Sequence, residues 1–369
     1  MRNRLDAITL KGFKTIRELD NFRPGPLTVL IGPNGAGKSN FISFFRMLSW
    51  MLVEQDHLQT HVAEQGGASK LLHDGPAITR EIEAQLTIET ISGENQYYFR
   101  LFFAAGDILI FADERYRFSR TGHPGTAFWS ETGAGHRAPQ LLAHSNTDDT
   151  ARVILSILRR FNVYQFHNTS TTARIRTKWN VNDNRFLKED GANIAPLLYR
   201  LKSEEGHCYQ RIVDNLRLIL PFFSDFELEP EYRSLLLAWR ERGSDQIFDV
   251  SQASDGMLRA IALVTLLLQP EETLPDLLIL DEPELGLHPY AINVIGGLIR
   301  AVSEKVQVII ATQSTAFLDC FELDDIVVVE REERESVFRR QESTDALVEW
   351  LEEYSPSELW EKNVIGGRP

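Results

Sequence analysis

From residue 80 to 90 the chain alternates, with Ile82, Ala84, Leu86 and Ile88 facing one way and Glu81, Glu83, Gln85, Thr87 and Glu89 the other. A period of two is that of a strand with one buried face. Ser92-Gly93-Glu94-Asn95 reads as a turn into a strand at 96–104, and short strands at 107–112 and 115–119 complete an antiparallel sheet. The start of the chain differs. Residues 5–31 read as two or three strands, with a turn at Arg23-Pro24-Gly25-Pro26. The last of them, 27–31, is a short apolar run of the kind that forms a central strand. A helix is expected at 39–53, with Phe41, Ile42, Phe44, Phe45, Leu48 and Leu52 on its apolar face.

The C-terminal third reads as helix 255–268, strand 277–280, helix 289–303, strand 306–311 and a last strand at 326–330. Strands separated by helices predict an α/β fold with a parallel sheet. Between the two regions, 55–76 reads as a polar loop with at most one short helix, and 120–148 as a long loop. Helices at 149–160, 193–202 and 209–220 and a strand at 233–240 follow. The expected organisation is an N-terminal part at 1–55, an antiparallel β part at 78–120 and an inserted, mainly helical subdomain at 125–245. A second α/β part at 250–335 and a tail at 336–369 complete it.

Composition narrows this picture only slightly. The 369 residues are 43% hydrophobic, enough for one large domain or two modest ones. A net charge of −14 argues against gripping nucleic acid by bulk charge, while leaving room for a local basic groove. Two distant cysteines, Cys208 and Cys320, suggest neither a disulfide framework nor a cysteine-based zinc site, and fit a reducing cytosol. The N-terminus has basic residues but no apolar leader region, and the longest apolar stretch, 260–268, is too short to span a bilayer. A cytoplasmic protein without a membrane partner is expected.

The chemistry enters at Gly32-Pro33-Asn34-Gly35-Ala36-Gly37-Lys38-Ser39, which follows the apolar run and precedes the helix. It fits the GxxxxGK[ST] pattern. Consecutive backbone N–H groups can wrap a phosphate only if side chains stay small, which Gly32, Gly35 and Gly37 permit. The helix N-terminus, including Asn40, offers further amides to the same anion. Lys38 would reach the β- and γ-phosphates of ATP, and Ser39 would place its hydroxyl on Mg2+. Leu277-Leu278-Ile279-Leu280 then leaves Asp281 at the carboxyl end of a buried strand, where open parallel sheets bind ligands. Asp281 would order the magnesium shell, and Glu282 would orient or deprotonate the attacking water.

With both motifs present, the sequence resembles ABC-type ATPase heads of the RecF/SMC class, and more closely the compact AAA_21-like ATPases. The resemblance covers 1–53 and 250–330 firmly and the middle loosely. It implies a P-loop NTPase fold of ABC-ATPase type, carrying an antiparallel β subdomain and a mixed, mainly helical insertion. Ser254-Asp255-Gly256 looks like the family's signature motif, which binds the γ-phosphate held by the other subunit of a homodimer. Glu284-Leu285-Gly286-Leu287 resembles the D-loop, which crosses that interface; His288, just after it, reads as structural or interfacial. Gln313 stands where the family often has a histidine that senses the γ-phosphate. Glutamine still donates a hydrogen bond but cannot act as a cation, which bears on hydrolysis more than on binding.

The Q-loop glutamine is either Gln165 or Gln85, with Gln165 preferred and assigned to the metal site, and the adenine contact falls near Phe13 and Lys14. The resemblance implies a Mg-dependent ATPase whose heads dimerise on ATP, in DNA maintenance or anti-phage defence. The alternative is a nucleotide-gated module with little or no hydrolysis. A transporter subunit is discouraged by the size of the insertion. Long heptad arms are absent, and too few residues follow the last expected strand for an appended nuclease domain. DNA, or an effector protein encoded nearby, is the expected partner. Arg174, Arg176, Lys178 and Trp179 form one short basic, aromatic patch that could touch a phosphate backbone or an acidic partner.

Overall fold

Leu27–Ile31 is buried at every position and lies inside a six-stranded sheet. The computed structural model describes residues 3–122, 127–341 and 353–367, with Leu347 and Trp350 between the last two stretches. The chain opens with strands β1 (Arg4–Phe13), β2 (Ile16–Phe22) and β3 (Leu27–Ile31), then helices α1 (Lys38–Met51) and α2 (His57–Glu64). Three long strands follow, β4 (Glu81–Thr90), β5 (Gly93–Ala104) and β6 (Ile108–Arg120). Next come β7 (Ser130–Glu131), α3 (Leu141–His144), α4 (Asp149–Leu158), β8 (Phe161–Tyr164) and β9 (Trp179–Asn180). The middle continues with α5 (Ile194–Glu204), α6 (Gly206–Ile219), β10 (Phe223–Glu227), β11 (Ser234–Leu235), β12 (Ala238–Glu241) and β13 (Ile247–Asp249). The last third holds α7 (Asp255–Leu268), β14 (Leu277–Asp281), α8 (Pro289–Ser303), β15 (Gln307–Ala311) and α9 (Thr315–Leu318). Strands β16 (Ile326–Glu332) and β17 (Glu335–Arg340) and helix α10 (Pro356–Glu361) end it.

The central sheet has the order β17-β16-β3-β15-β14-β8 and is parallel except for β17. Its inner strands β3, β15 and β14 are buried at every position, so they read as short, mainly apolar runs. The second sheet, β2-β1-β4-β5-β6-β7, is antiparallel and keeps one polar face, as its alternation demands. One core lies between the two sheets around α1, where Phe13, Phe41, Phe44, Phe45, Phe99 and Phe111 are all buried. The other lies on the far side of the central sheet around α7. Eleven residues of α7 are buried, so this helix is core nearly all round. Ser254 starts it by accepting the Met257 amide, and Pro270 follows its end.

Several expectations are corrected. Residues 108–120 form one strand: β6 carries a bulge at Ala112, where Leu101 pairs with Phe111 and Arg100 with Asp113, and the extra residue breaks the alternation that suggested two. The stretch 55–76 holds the one short helix allowed for it, α2, with Leu58, His61 and Val62 buried, and the rest is loop and a helical turn at Ala68–Lys70. The strand expected at 233–240 is two short ones, which belong to different small sheets. Strand β16 is not the last. Glu333 and Arg334, at φ 40° and 78°, turn the chain back into β17. Positive φ at both central residues suits the right-handed twist of a tight hairpin. The tail assigned to 336–369 is therefore partly strand, and α10 buries Trp360 completely against the core, while part of that stretch lies outside the described residues. Likewise 123–126 of the expected long loop lie outside them, and the rest holds β7 and α3. The stretch read as an insertion, 125–245, contributes β8 to the edge of the central sheet, paired with β14.

Candidate functional site

Four neighbouring parallel strands, β3, β15, β14 and β8, end at one edge of the central sheet. Their register aligns the ends: Ala311 pairs with Leu30 and with Asp281, and Leu280 with Tyr164. The residues just beyond are Gly32, Thr312 and Gln313, Glu282, and Gln165. Positions scattered over the whole sequence thus meet at the carboxyl edge, as the topology of a parallel sheet requires.

The loop after β3 turns tightly, with Gly32, Gly35 and Gly37 at φ 148°, 80° and 118°. A Cβ on Gly32 would lie 2.0 Å from the Val329 carbonyl oxygen, and one on Gly37 2.0 Å from Ser336 Oγ. Two of the glycines are therefore required by the β16–β17 hairpin packed beneath the loop. Ser336 Oγ donates to the Ala36 carbonyl at 2.6 Å and bonds Thr15 Oγ1 at 2.7 Å, while Asn40 donates to the same Thr15 hydroxyl at 2.7 Å. Helix α1 starts after Gly37 without a side-chain cap, so its first amides face outward from the loop. Lys38 is buried and donates to the carbonyls of Gly32 at 2.5 Å and Pro33 at 3.2 Å. Burial lowers its pKa from the usual lysine value, and the carboxylates of Glu282, Asp281 and Glu284 pull it back up. Ser39, Asn34 and Gly35 are exposed.

Asp281 is buried, and its Oδ1 has no hydrogen-bond partner. Its Oδ2 accepts from Gln165 Nε2 at 3.1 Å, and its carbonyl bonds His167 Nε2 at 2.9 Å. Burial raises the Asp281 pKa, and His167 opposes that rise. The Gln165 amide is oriented from both sides, because its Oε1 accepts from Arg46 at 2.9 Å. It therefore turns nitrogen toward Asp281, an arrangement that orients the carboxylate. Gln85 stands between Thr9 and Tyr98 in the antiparallel sheet. Phe13 is core, edge-on to Phe44 at 5.9 Å, and Lys14 donates to Ser43 at 2.7 Å.

Glu282 has φ 43°, a left-handed conformation that costs roughly 1–2 kcal/mol for a residue with a Cβ. Its amide donates to the Ala311 carbonyl at 2.8 Å, and its Oε1 accepts from Gln313 Nε2 at 3.1 Å. Glu284 turns inward: it is buried, accepts from Thr312 Oγ1 at 2.5 Å, and has Oε2 unpartnered. Burial pushes its pKa up to about 7. Leu285 is exposed, and His288 caps α8 by accepting the Tyr290 amide at 3.3 Å. Ser254 and Asp255 are exposed at the start of α7, and a Cβ on Gly256 would lie 2.6 Å from the Gly286 carbonyl oxygen.

Within the basic patch, Arg176 is held internally: it donates to the carbonyls of Thr169, Val250 and Ala253 and to Asp255, pinning the loop that leads into α7. Arg174 pairs with Asp190 at 3.0 Å and stacks on Trp179, and Lys178 pairs with Glu231 at 2.5 Å. These last two cations stay exposed, and their ion pairs are the screened kind that water weakens. The sequence reading missed Arg46, His167, Ser336 and Arg259. Arg46 was accessible to it, since it lies two helical turns after Ser39 on the same face. The others become visible only through contacts distant in sequence.

The donor set fits a magnesium–nucleoside triphosphate. Asp281 Oδ1 is a buried acceptor without a partner, Ser39 is exposed at the start of α1, and a glycine loop and uncapped helix start supply anion-binding amides. Magnesium ordinarily takes only one or two protein carboxylates and completes its shell with phosphates and water.

Comparison with known proteins agrees. Residues 27–319 match the family model AAA_21, described as "AAA domain, putative AbiEii toxin, Type IV TA system". A 52-residue stretch is 48% identical to chromosome partition protein Smc of Delftia acidovorans (strain DSM 14801 / SPH-1), covering 14% of this chain and 4% of that protein. An Smc head bound to the C-winged helix domain of ScpA superposes with TM-score 0.58 at 13% identity, over 90% of this chain and 97% of that one. The Smc head with an extended coiled coil, bound to the C-terminal domain of ScpA derived from Pyrococcus furiosus, gives 0.59 at 14%, over 95% and 99%. Those two likenesses establish the fold. Among the described residues no helix is long and apolar enough to cross a membrane. The chain belongs to the AAA_21 family, and is a P-loop ATPase module with the fold of an SMC/RecF-type head.

Proposed function

We propose that this chain binds Mg-ATP, that two copies close around two nucleotides, and that hydrolysis reopens them. The observation that carries the reading is the split of the site. Lys38, Gln165, Asp281, Glu282 and Gln313 gather at one sheet edge. Among the described residues, no hydrogen bond joins Ser254, Asp255 or Gly256 to any of them. The start of α7 is exposed, N-capped and positively polarised, which supports a reading in which the phosphate it meets is held by a second copy.

In this reading Gly32 to Asn40 wrap the phosphates, and Lys38 leaves the Gly32 and Pro33 carbonyls to meet the β- and γ-oxygens. Ser39 and Asp281 would hold magnesium, with Gln165 fixing the carboxylate. When bound, the ion supplies neutralisation of phosphate charge. Glu282 accepts the proton of the attacking water, oriented by Gln313. Glu284 to Leu287 cross to the second copy. In this reading the cycle gates DNA or an effector protein encoded nearby, in DNA maintenance or anti-phage defence; the family description names a putative toxin of a Type IV TA system. Solved heads of this fold are bound to ScpA domains, which supports a protein partner at the head.

Phosphate release by purified protein, with Glu282→Gln as control, tests the enzymatic part. Magnesium-dependent turnover abolished by that substitution is expected. Turnover absent even with the partner captured by Glu282→Gln on ATP would leave the nucleotide-gated module, a reading favoured by the uncharged amide at Gln313.

A further inference from the structure

Arg259 lies in the second turn of α7 and ties that helix to two further segments. Its Nε donates to the Phe166 carbonyl at 3.2 Å, and its Nη2 to the His167 carbonyl at 3.0 Å and to Thr169 Oγ1 at 3.5 Å. Its Nη1 donates to the Leu285 carbonyl at 2.9 Å. His167 in turn bonds the Asp281 carbonyl at 2.9 Å and the Gln165 amide nitrogen at 2.9 Å. The Leu285 amide donates to the Glu282 carbonyl at 3.2 Å. A closed circuit thus runs from Asp281 through His167 and Arg259 to Leu285 and back to Glu282.

We propose that Arg259 is a positioning residue that couples the Asp281–Gln165 side of the site to the 284–287 turn, exposed at Leu285 and Gly286, and to the start of α7. Binding in one copy would thereby set the surface offered to the other. The proposal rests on the composite-site reading above. Two glycines make the junction possible. Gly286, at φ 74°, would place a Cβ 2.4 Å from Arg259 Nη1, and a Cβ on Gly256 would meet the Gly286 carbonyl oxygen at 2.6 Å. A planar guanidinium presents donors in fixed directions, so from α7 it can hold carbonyls of two other segments at once. A lysine ammonium is a single point on a flexible stem and cannot span them. Among the described residues, Arg259 has no hydrogen bond to 32–40, and its main partners are backbone carbonyls, so its effect passes through the backbone of other residues.

Hydrogen exchange on the full chain tests this, in the Glu282→Gln background, at a concentration where light scattering reads monomer. Mg-ATP is expected to slow exchange at 32–40, and also at 254–258 and 284–288. Adding Arg259→Gln or Arg259→Lys keeps the first effect, which reports an intact fold and binding, and abolishes the other two. Gly286→Ala, which displaces the guanidinium, gives the same pattern. Slowing at 254–258 and 284–288 that survives in these variants overturns the proposal. So does its absence from the Glu282→Gln parent, or a loss of all three effects together in all the variants. Failure of the dimer reading is seen separately, as a parent that stays monomeric with ATP at every concentration.

Discussion

Gln313 donates its side-chain amide to Glu282 across 3.1 Å, linking the second residue after β15 to the first after β14. Glu282 sits in a left-handed backbone conformation, and Gln313 lies in the loop between β15 and α9. The bond fixes a carboxylate oxygen where a water must be aligned. Replacing Gln313 with alanine is expected to lower turnover by about 10- to 100-fold while changing the ATP Kd less than about threefold. Steady-state kinetics beside equilibrium titration would show this. Equal losses in both would mean that Gln313 serves binding instead.

The P-loop glycines are not equivalent. Gly37→Ala would drive a Cβ onto Ser336 Oγ, whereas a Cβ on Gly35 meets nothing within 4 Å. Gly35→Ala should therefore cost only the left-handed backbone, about 1–2 kcal/mol. Gly37→Ala should add displacement of the Ser336–Thr15 support, and weaken ATP binding at least about tenfold more. Titration with a fluorescent ATP analogue compares them, and equal losses would remove the hairpin's role as a prop.

Arg176 carries a prediction about what the basic patch is for. Arg176→Met leaves the Val250 and Ala253 carbonyls without their donor and frees the loop before α7. ATP-dependent dimerisation should weaken by about tenfold, with single-chain ATP binding unchanged and no change in nucleic-acid retention. A selective loss of nucleic-acid binding would restore the patch as a contact surface.

Burial pushes the Glu284 carboxyl up to about 7, against an ordinary 4.5. A carboxyl whose folded pKa is raised stabilises the fold most below the unfolded value, and that contribution is lost as pH rises through the folded one. Between pH 5 and pH 7.5 the wild type should lose on the order of 2–3 kcal/mol from this group. Glu284→Gln, neutral throughout, should flatten the fall. Thermal unfolding of both proteins across that range checks the sign.

The alternating strand β4, the capped helix α7 and the glycine loop were legible because each is fixed by local chemistry. β17 was hidden by the charged run around Glu333 and Arg334, which resembles a solvated tail until a hairpin with two positive φ values is allowed. The basic stretch at 174–179 resembled a binding patch because its partners, Val250, Asp190 and Glu231, are far away in the chain. Gln165 could not be separated from Gln85 by composition. Only the pairing of β8 with β14 brings one of them to Asp281.

The most direct test is the mass of the Glu282→Gln protein in solution by light scattering, with Mg-ATP and without. ATP should shift it from the 42.1 kDa chain to twice that mass, and Ser254→Arg, which fills the exposed start of α7, should hold it at one chain despite bound nucleotide. An ATP-saturated Glu282→Gln protein that remains a single chain would contradict the account.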